Sequence, residues 1–402
     1  MKKNLQFPFL ILALSLFISS CQKKMDFNLI TNDQNSIEVQ KSMAMQAVGT
    51  HNYGLVPMKT EQWENVPNFS AELFRSEIKS FGVNSSITVP TSFLLATPVV
   101  RDQGQIGSCT GFCGAETNEI LNYYVKEANP KTFINLTTNT GLTTASSGQF
   151  LAVTNTYSSL SPLFIYYVER CVINKQAITA DNGAYMVNIP QTLQGLSNNT
   201  GTGVKLSQVI SNVNYYFQGE CTEALYPYPS PAAKTTLQYR TAPTASAITN
   251  AASYTIGVQS GTTTSTGITN SGYYLINSTN PVADVKLAIA NKKPVMMGFN
   301  VYDDKTYKYF EGLGVSGYAP TNFTYSPLDA NGNLIAGLTL LGGHAVPIVG
   351  YIDDATQTGG GVFICQNSWS SGWGNKGYFY MPYSVLKSTK IVTPGSLYVA
   401  IK

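Results

Sequence analysis

RDQGQIGSCTGFCGAETNE, residues Arg101 to Glu119, is the stretch around which the rest of the chain is read. Glycines punctuate its first half. From Cys109 onward small and apolar residues recur at helical spacing through Phe112, Cys113, Ile120, Tyr123 and Tyr124, which predicts a helix over about Cys109 to Glu127 with one buried face. Cys109 therefore falls where a loop runs into a helix. A helix N-terminus carries roughly half a positive charge, so a thiol there is expected to ionise readily. Gln103 lies upstream in the same loop and supplies a side-chain amide beside the sulfur. A nucleophile of this kind needs a base, and the base needs a third group to orient it.

The chain has two histidines. His51 stands in the leader beside Asn52 and Gly54 with no motif around it. His344 stands in GGHAVPIVGY, where two glycines allow close backbone approach and an apolar strand fixes the side chain. Asn367 follows in CQNSWSSGWGNKGYFYMPY. Its carbonyl is expected to accept the Nδ1–H of His344, so that Nε2 faces the thiol, with Trp369 and Trp373 covering the bond.

Outward from these motifs, the first part of the chain reads as helical and the last as strands. Ser161-Pro162 opens a helix, LFIYYVERC, by the cap-then-Pro signal. Asp181-Asn182-Gly183 is a turn, and the helical pattern after it ends before Gly219. Tyr226-Pro227-Tyr228-Pro229 is an extended crossing. Val282 to Asn291 has helical spacing and precedes a short buried strand, Pro294 to Phe299. AVPIVGYI, GVFICQNS and KGYFYMP are apolar or alternating runs broken by Gly and Asp. Two Thr/Ser/Gly-rich stretches, about 129–159 and 232–278, interrupt this order as insertions. The class is α+β, in two lobes.

At 402 residues and 43% apolar, the chain can bury the core that two lobes require. Charged residues are 12% and the net charge of +3 is spread without a basic block, so nucleic acid is excluded as a partner. The first residues carry Lys2 and Lys3, a short apolar run and then Ile18-Ser19-Ser20-Cys21, a secretory signal over 1–20 that is similar to the bacterial lipoprotein box. Cys21 is then the lipidated residue, residues 21–85 are a tether or propeptide-like segment, and 86–402 form the main domain. The protein is expected in the cell envelope, at the outer membrane or cell surface, held to the membrane through its lipid alone. Export permits disulfides, and the pairing of Cys113, Cys171, Cys221 and Cys365 stays open.

QGQIGSCTGFC, GGHAVPIVGY and QNSWSSGWGNKGYFYMPY, in the order Gln, Cys, His, Asn, resemble the papain-like cysteine peptidases, and more closely their bacterial members with the GSCT start. LSPLFIYYVER, the Asp181-Asn182-Gly183 turn and CTEALYPYP add to the resemblance, which covers Val89 to the C-terminus. It implies a helical N-terminal lobe, a C-terminal antiparallel β-barrel-like lobe, and an active site between them. It also implies Cys109 and His344 as the catalytic pair, Asn367 as the orienting residue and Gln103 in the oxyanion hole. The substrate is a peptide or protein, and neither cofactor nor metal is implied. Asp181 and Gly183 are expected to wall the substrate cleft. Two departures stand out: Ile106 and Thr110 replace the Cys and the aromatic of the family signature, and the Cys109-to-His344 separation exceeds the roughly 130–150 residues usual in the family. Two rival readings are a cell-wall peptide amidase or endopeptidase of the NlpC/P60 type and a catalytically silent surface-binding protein on the same scaffold.

Overall fold

The computed structural model describes residues 51–72, 89–134, 159–197, 204–257, 272–304, 309–313 and 323–402. The signal segment, Cys21, residues 22–50 and 73–85 of the tether and the middle of both insertions lie outside the described residues.

One antiparallel sheet carries the β side. Its spine is β6 (Val295–Asp303) against β7 (Thr339–Asp353), paired from Val295↔Ile348 to Asp303↔Thr339. Both are long apolar runs, because the sheet is covered on its two faces. Past Ile348, β7 takes β1 (Ser92–Leu95) on one edge and β8 (Gly361–Gln366) on the other, and β8 pairs with β9 (Tyr378–Pro382). The path runs β2-β1-β7-β6-β10-β5, where β2 is Thr132–Ile134, β5 is Tyr273–Leu275 and β10 is Leu397–Ala400. Among the described residues the sheet branches at β7 and forms no closed barrel, within the α+β, papain-like fold that the sequence leads one to expect. Helix α5 (Pro281–Ala290), numbered in chain order with those below, packs on β1, β6 and β7.

The helical side is built on α1 (Cys109–Lys126), which packs against β6, β7, α2 (Pro162–Tyr167) and α3 (Asn188–Gln194). Ser161 caps α2 by accepting from the Phe164 N–H at 3.1 Å, with Pro162 in the first turn, and the helix continues as a π-helical turn over Val168–Ile173. α1 is buried on every side from Cys109 to Asn118, not along one stripe, because it lies between the sheet and the other helices. A helix in that position must satisfy its polar side chains internally. Asn118 does so, donating to the Tyr254 carbonyl at 2.8 Å and to Glu220 at 3.1 Å.

One expectation is corrected. The division into a helical first part and a β last part fails at β1 and β2, which flank α1 in sequence and yet belong to the sheet. The helical pattern expected to end before Gly219 ends with α3. A hairpin follows, β3 (Ser207–Ile210) with β4 (Val213–Tyr216), turned by Ser211 and Asn212 at φ of 50° and 65°. Helix α4 (Ala245–Ala251) then completes the helical lobe, and α6 (Tyr383–Leu386) follows β9. All five described cysteines are free thiols, so the open question of pairing resolves to no disulfide among the described residues.

Candidate active site

The first turn of α1 delivers Cys109 against β7 at the seam between the two sides. Cys109, Cys113, Met186, Met296 and Ala345 share one buried cluster there. The backbone N–H groups of Gly54, Ala345 (the residue after His344) and Thr110 lie close enough to the thiol to favour its ionised form. His344 is held by strand register, opposite Phe299 of β6. Its Nε2 lies 2.7 Å from Oδ1 of Asn367, which also accepts the Ser368 N–H at 2.9 Å. The nitrogen held by Asn367 is thus Nε2, the reverse of the tautomer expected from sequence, and the buried Nδ1 has no hydrogen-bond partner.

Aromatic rings enclose this imidazole. Trp369 lies 5.2 Å from it. Phe310 packs edge-on against His344 and Trp369 at 5.8 and 5.1 Å, and lies tilted against Trp373 at 5.2 Å. Gln103 is buried beside them. Its backbone N–H donates to the Ser368 carbonyl at 2.8 Å, and its Oε1 accepts the Ser368 hydroxyl at 2.7 Å. Ser368 thereby joins the Gln103 loop to the Asn367 turn.

Burial governs the electrostatics. Desolvation pushes the Cys109 thiol up to about 12, against the opposing N–H groups of Gly54 and Ala345. Desolvation also lowers His344 to about 4, partly offset by the Asn367 bond. Burial in this enclosed state thus works against the ionisation that the helix start favours. Beneath the thiol, Thr110 donates to Glu169 at 2.6 Å, and burial raises that carboxyl to about 8. Among the described residues, no group of three or more His, Cys, Asp or Glu side chains is placed to hold a metal ion.

What encloses the site is the chain itself. Residues 51–56 cross it as an extended strap. The Leu55 N–H donates to the Gly343 carbonyl at 3.1 Å, Val56 to Ala184 at 2.9 Å, and Ala184 to Gly54 at 2.9 Å. The Asn52 carbonyl accepts from Gln103 Nε2 at 2.8 Å. Tyr53 turns its ring edge-on to His344 and donates to Glu311 at 3.2 Å. His51 stacks on Trp369, with centroids 4.8 Å apart and planes 10° apart, and its Nε2 lies 3.1 Å from Asp102. A Cβ on Gly54 would fall 1.7 Å from the Gly107 carbonyl oxygen, so only glycine fits there.

The two residues expected to wall the cleft differ in what they touch. Asp181 accepts the Gly107 N–H with both oxygens at 3.1 Å and the Tyr166 hydroxyl at 2.6 Å, which makes it a brace for the loop before Cys109. Gly183, at φ +73°, would place a Cβ 2.1 Å from the Gly54 carbonyl oxygen, and the next residue, Ala184, makes the backbone pairing. The sequence reading missed the strap and Ser368. HNYGLVP, a glycine then two apolar residues then a proline, was the local signal for an extended edge segment.

Residues 197–396 match the family described as Papain family cysteine protease, a span that holds His344 and Asn367 and begins after Cys109. The chain is 33% identical over 116 residues to Cysteine proteinase 3 of Solanum lycopersicum, covering 28% of this chain and 27% of that protein. It is 35% identical over 100 residues to Pro-cathepsin H of Medicago truncatula, covering 24% and 22%. The chain thus spans about a quarter of the length of the curated relatives it matches. Among solved structures it is similar to xylellain, a cysteine protease from Xylella fastidiosa, with a TM-score of 0.56 at 21% identity, covering 89% of this chain and 98% of that one. Residues 197–396 thus belong to the papain-like cysteine peptidases, and the chain around them has the fold of xylellain.

Proposed function

We propose that this protein is a cysteine peptidase that hydrolyses peptide bonds through Cys109, carried at a bacterial envelope by a lipidated Cys21. The observation that supports it most directly is the state of His344: one ring nitrogen pinned by Asn367, the other buried and unpartnered on the strand whose Ala345 packs with Cys109. A buried polar atom without a partner calls for an explanation. Reserving it for a proton in transit supplies one.

In this reading His344 takes the Cys109 proton on Nδ1, and the thiolate adds to the peptide carbonyl to give a tetrahedral oxyanion. Gln103 Nε2 and the Cys109 N–H stabilise that charge. The imidazolium returns the proton to the leaving amine, and the amine departs. Water, deprotonated by His344, then attacks the thioester, and carboxylate and thiol are regenerated. The strap must leave first, because its Asn52 carbonyl holds the Gln103 donor and its Gly54 covers the thiol. The described state is the latent one, and residues 51–56 act as an internal inhibitor.

The test is turnover of a peptide library by protein lacking residues 1–21, with Cys109→Ala as control. Cleavage at equal rates by both proteins would exclude the reading.

A further inference from the structure

We propose that Trp369 and Asp102 form a side-chain subsite that selects a planar cation, an arginine of the bound peptide, and that His51 is its resident occupant. The inference rests on the reading of this cleft as a peptide site. A backbone bridge between Asp102 and Trp369 fixes the two residues side by side. One offers a ring face and the other a carboxylate. His51 uses both at once, stacked at 4.8 Å on the indole and 3.1 Å from Asp102 Oδ1.

Guanidinium meets the same two demands better than imidazole. It is planar, always charged, stacks on aromatic faces and pairs with carboxylate through a fork of donors. Among the described residues Asp102 forms no ion pair besides that with His51. Arg101, next in sequence, is tied to Glu119 at 3.1 Å and to the Leu160 carbonyl at 2.8 Å. The His51 bond and the Gly104 N–H hold the Asp102 carboxyl below its ordinary value, and half of that side chain is exposed. A cavity of about 600 Å³ opens beside Asp102, Gly104 and Gln105, with Phe112, Tyr228 and Pro231 among its walls. The site adjoins Gln103, so the selected residue lies next to the bond that reacts.

The strap allows the subsite to be tested in the full chain without turnover. Alkylation of Cys109 by iodoacetamide, followed at that residue by mass spectrometry, reads how often the strap lifts. His51→Arg should slow alkylation several-fold and His51→Glu should speed it about 10-fold, the scale of one charge-assisted bond. His51→Gln should fall between, and pairing His51→Glu with Asp102→Lys should restore the wild-type rate. Equal rates for His51→Arg and His51→Glu, or no rescue by the swap, would overturn the proposal.

A peptide scan separates it from the peptidase reading. Arginine moved through positions on both sides of the scissile bond should favour kcat/KM by about 10-fold over glutamine at one position. That preference should collapse in Asp102→Asn. Cleavage with a flat scan defeats the subsite and leaves the peptidase. No cleavage of any peptide even by the Gly54→Ala protein, whose strap is displaced, with the strap series as expected, defeats the peptidase and leaves the subsite.

Discussion

The side-chain amide of Gln103 donates to the backbone carbonyl of Asn52 at 2.8 Å, so the donor the proposed chemistry needs for an oxyanion is already holding a carbonyl of the same chain. One residue serves inhibition and catalysis in turn. Gln103→Ala should therefore move two measurements in opposite directions. Peptide turnover should fall about 10²–10³-fold, the loss typical of one oxyanion donor. Cys109 alkylation should rise, because the strap loses an anchor. A parallel fall in both would refute the double role.

Gly54 offers a cleaner way to lift the strap. A methyl group there would run into the Gly107 carbonyl oxygen, which is backbone and cannot rotate away. Gly54→Ala should expel residues 51–56 from the cleft and raise Cys109 alkylation at least about 10-fold, the effect of displacing a strap by roughly 1.4 kcal/mol. Unchanged alkylation would mean that the strap yields without leaving.

Asn367 fixes which nitrogen of His344 is free. Asn367→Ala should lower kcat by a part of the roughly 10²–10⁴-fold that a positioned proton carrier contributes, and by less than Cys109→Ala does. Asn367→Asp should instead raise the pKa of His344 from about 4, since an adjacent carboxylate favours imidazolium. NMR titration of the ring protons would detect it; an unmoved titration would show that Asn367 does not control the ring.

Stability should peak in mild acid. The Glu169 carboxyl is raised from 4.5 to about 8, so its contribution is complete below about 4.5 and is lost as pH rises through 8. His344 is lowered from 6.5 to about 4, so its contribution is present above 6.5 and is lost as pH falls through 4. Each shift corresponds to a few kcal/mol on the order of 1.4 per unit. Urea unfolding of the full chain should give a maximum between these limits, and Glu169→Gln should flatten the alkaline side. A curve unchanged by Glu169→Gln would refute the assignment.

The residues of the site were legible where their signals were local. Glycines before Cys109 and His344, and the Gly/Trp turn after Asn367, mark positions where backbone must approach closely, and each mark lies within a few residues of its side chain. Which nitrogen of His344 meets Asn367 was not legible, because β6–β7 register and the Trp369–Phe310 packing set the ring's orientation. The strap was hidden for a related reason. Leu55 pairs with Gly343, a partner far along the chain, and a segment that borrows another strand's edge carries no period of its own. The turn at Asp181 was legible, while the Gly107 N–H that its side chain accepts was not.

β1 carries one more consequence. It precedes the nucleophile in the chain, yet it pairs with the far end of β7, Leu94 against Gly350. Contacts between such distant residues form late, since the intervening loop must close before they contribute. During synthesis Cys109 emerges long before His344, and the seam that joins them waits for β7 to be made and to find β1. A stalled or truncated chain therefore carries a thiol without its base, and reactivity arrives only with the finished topology.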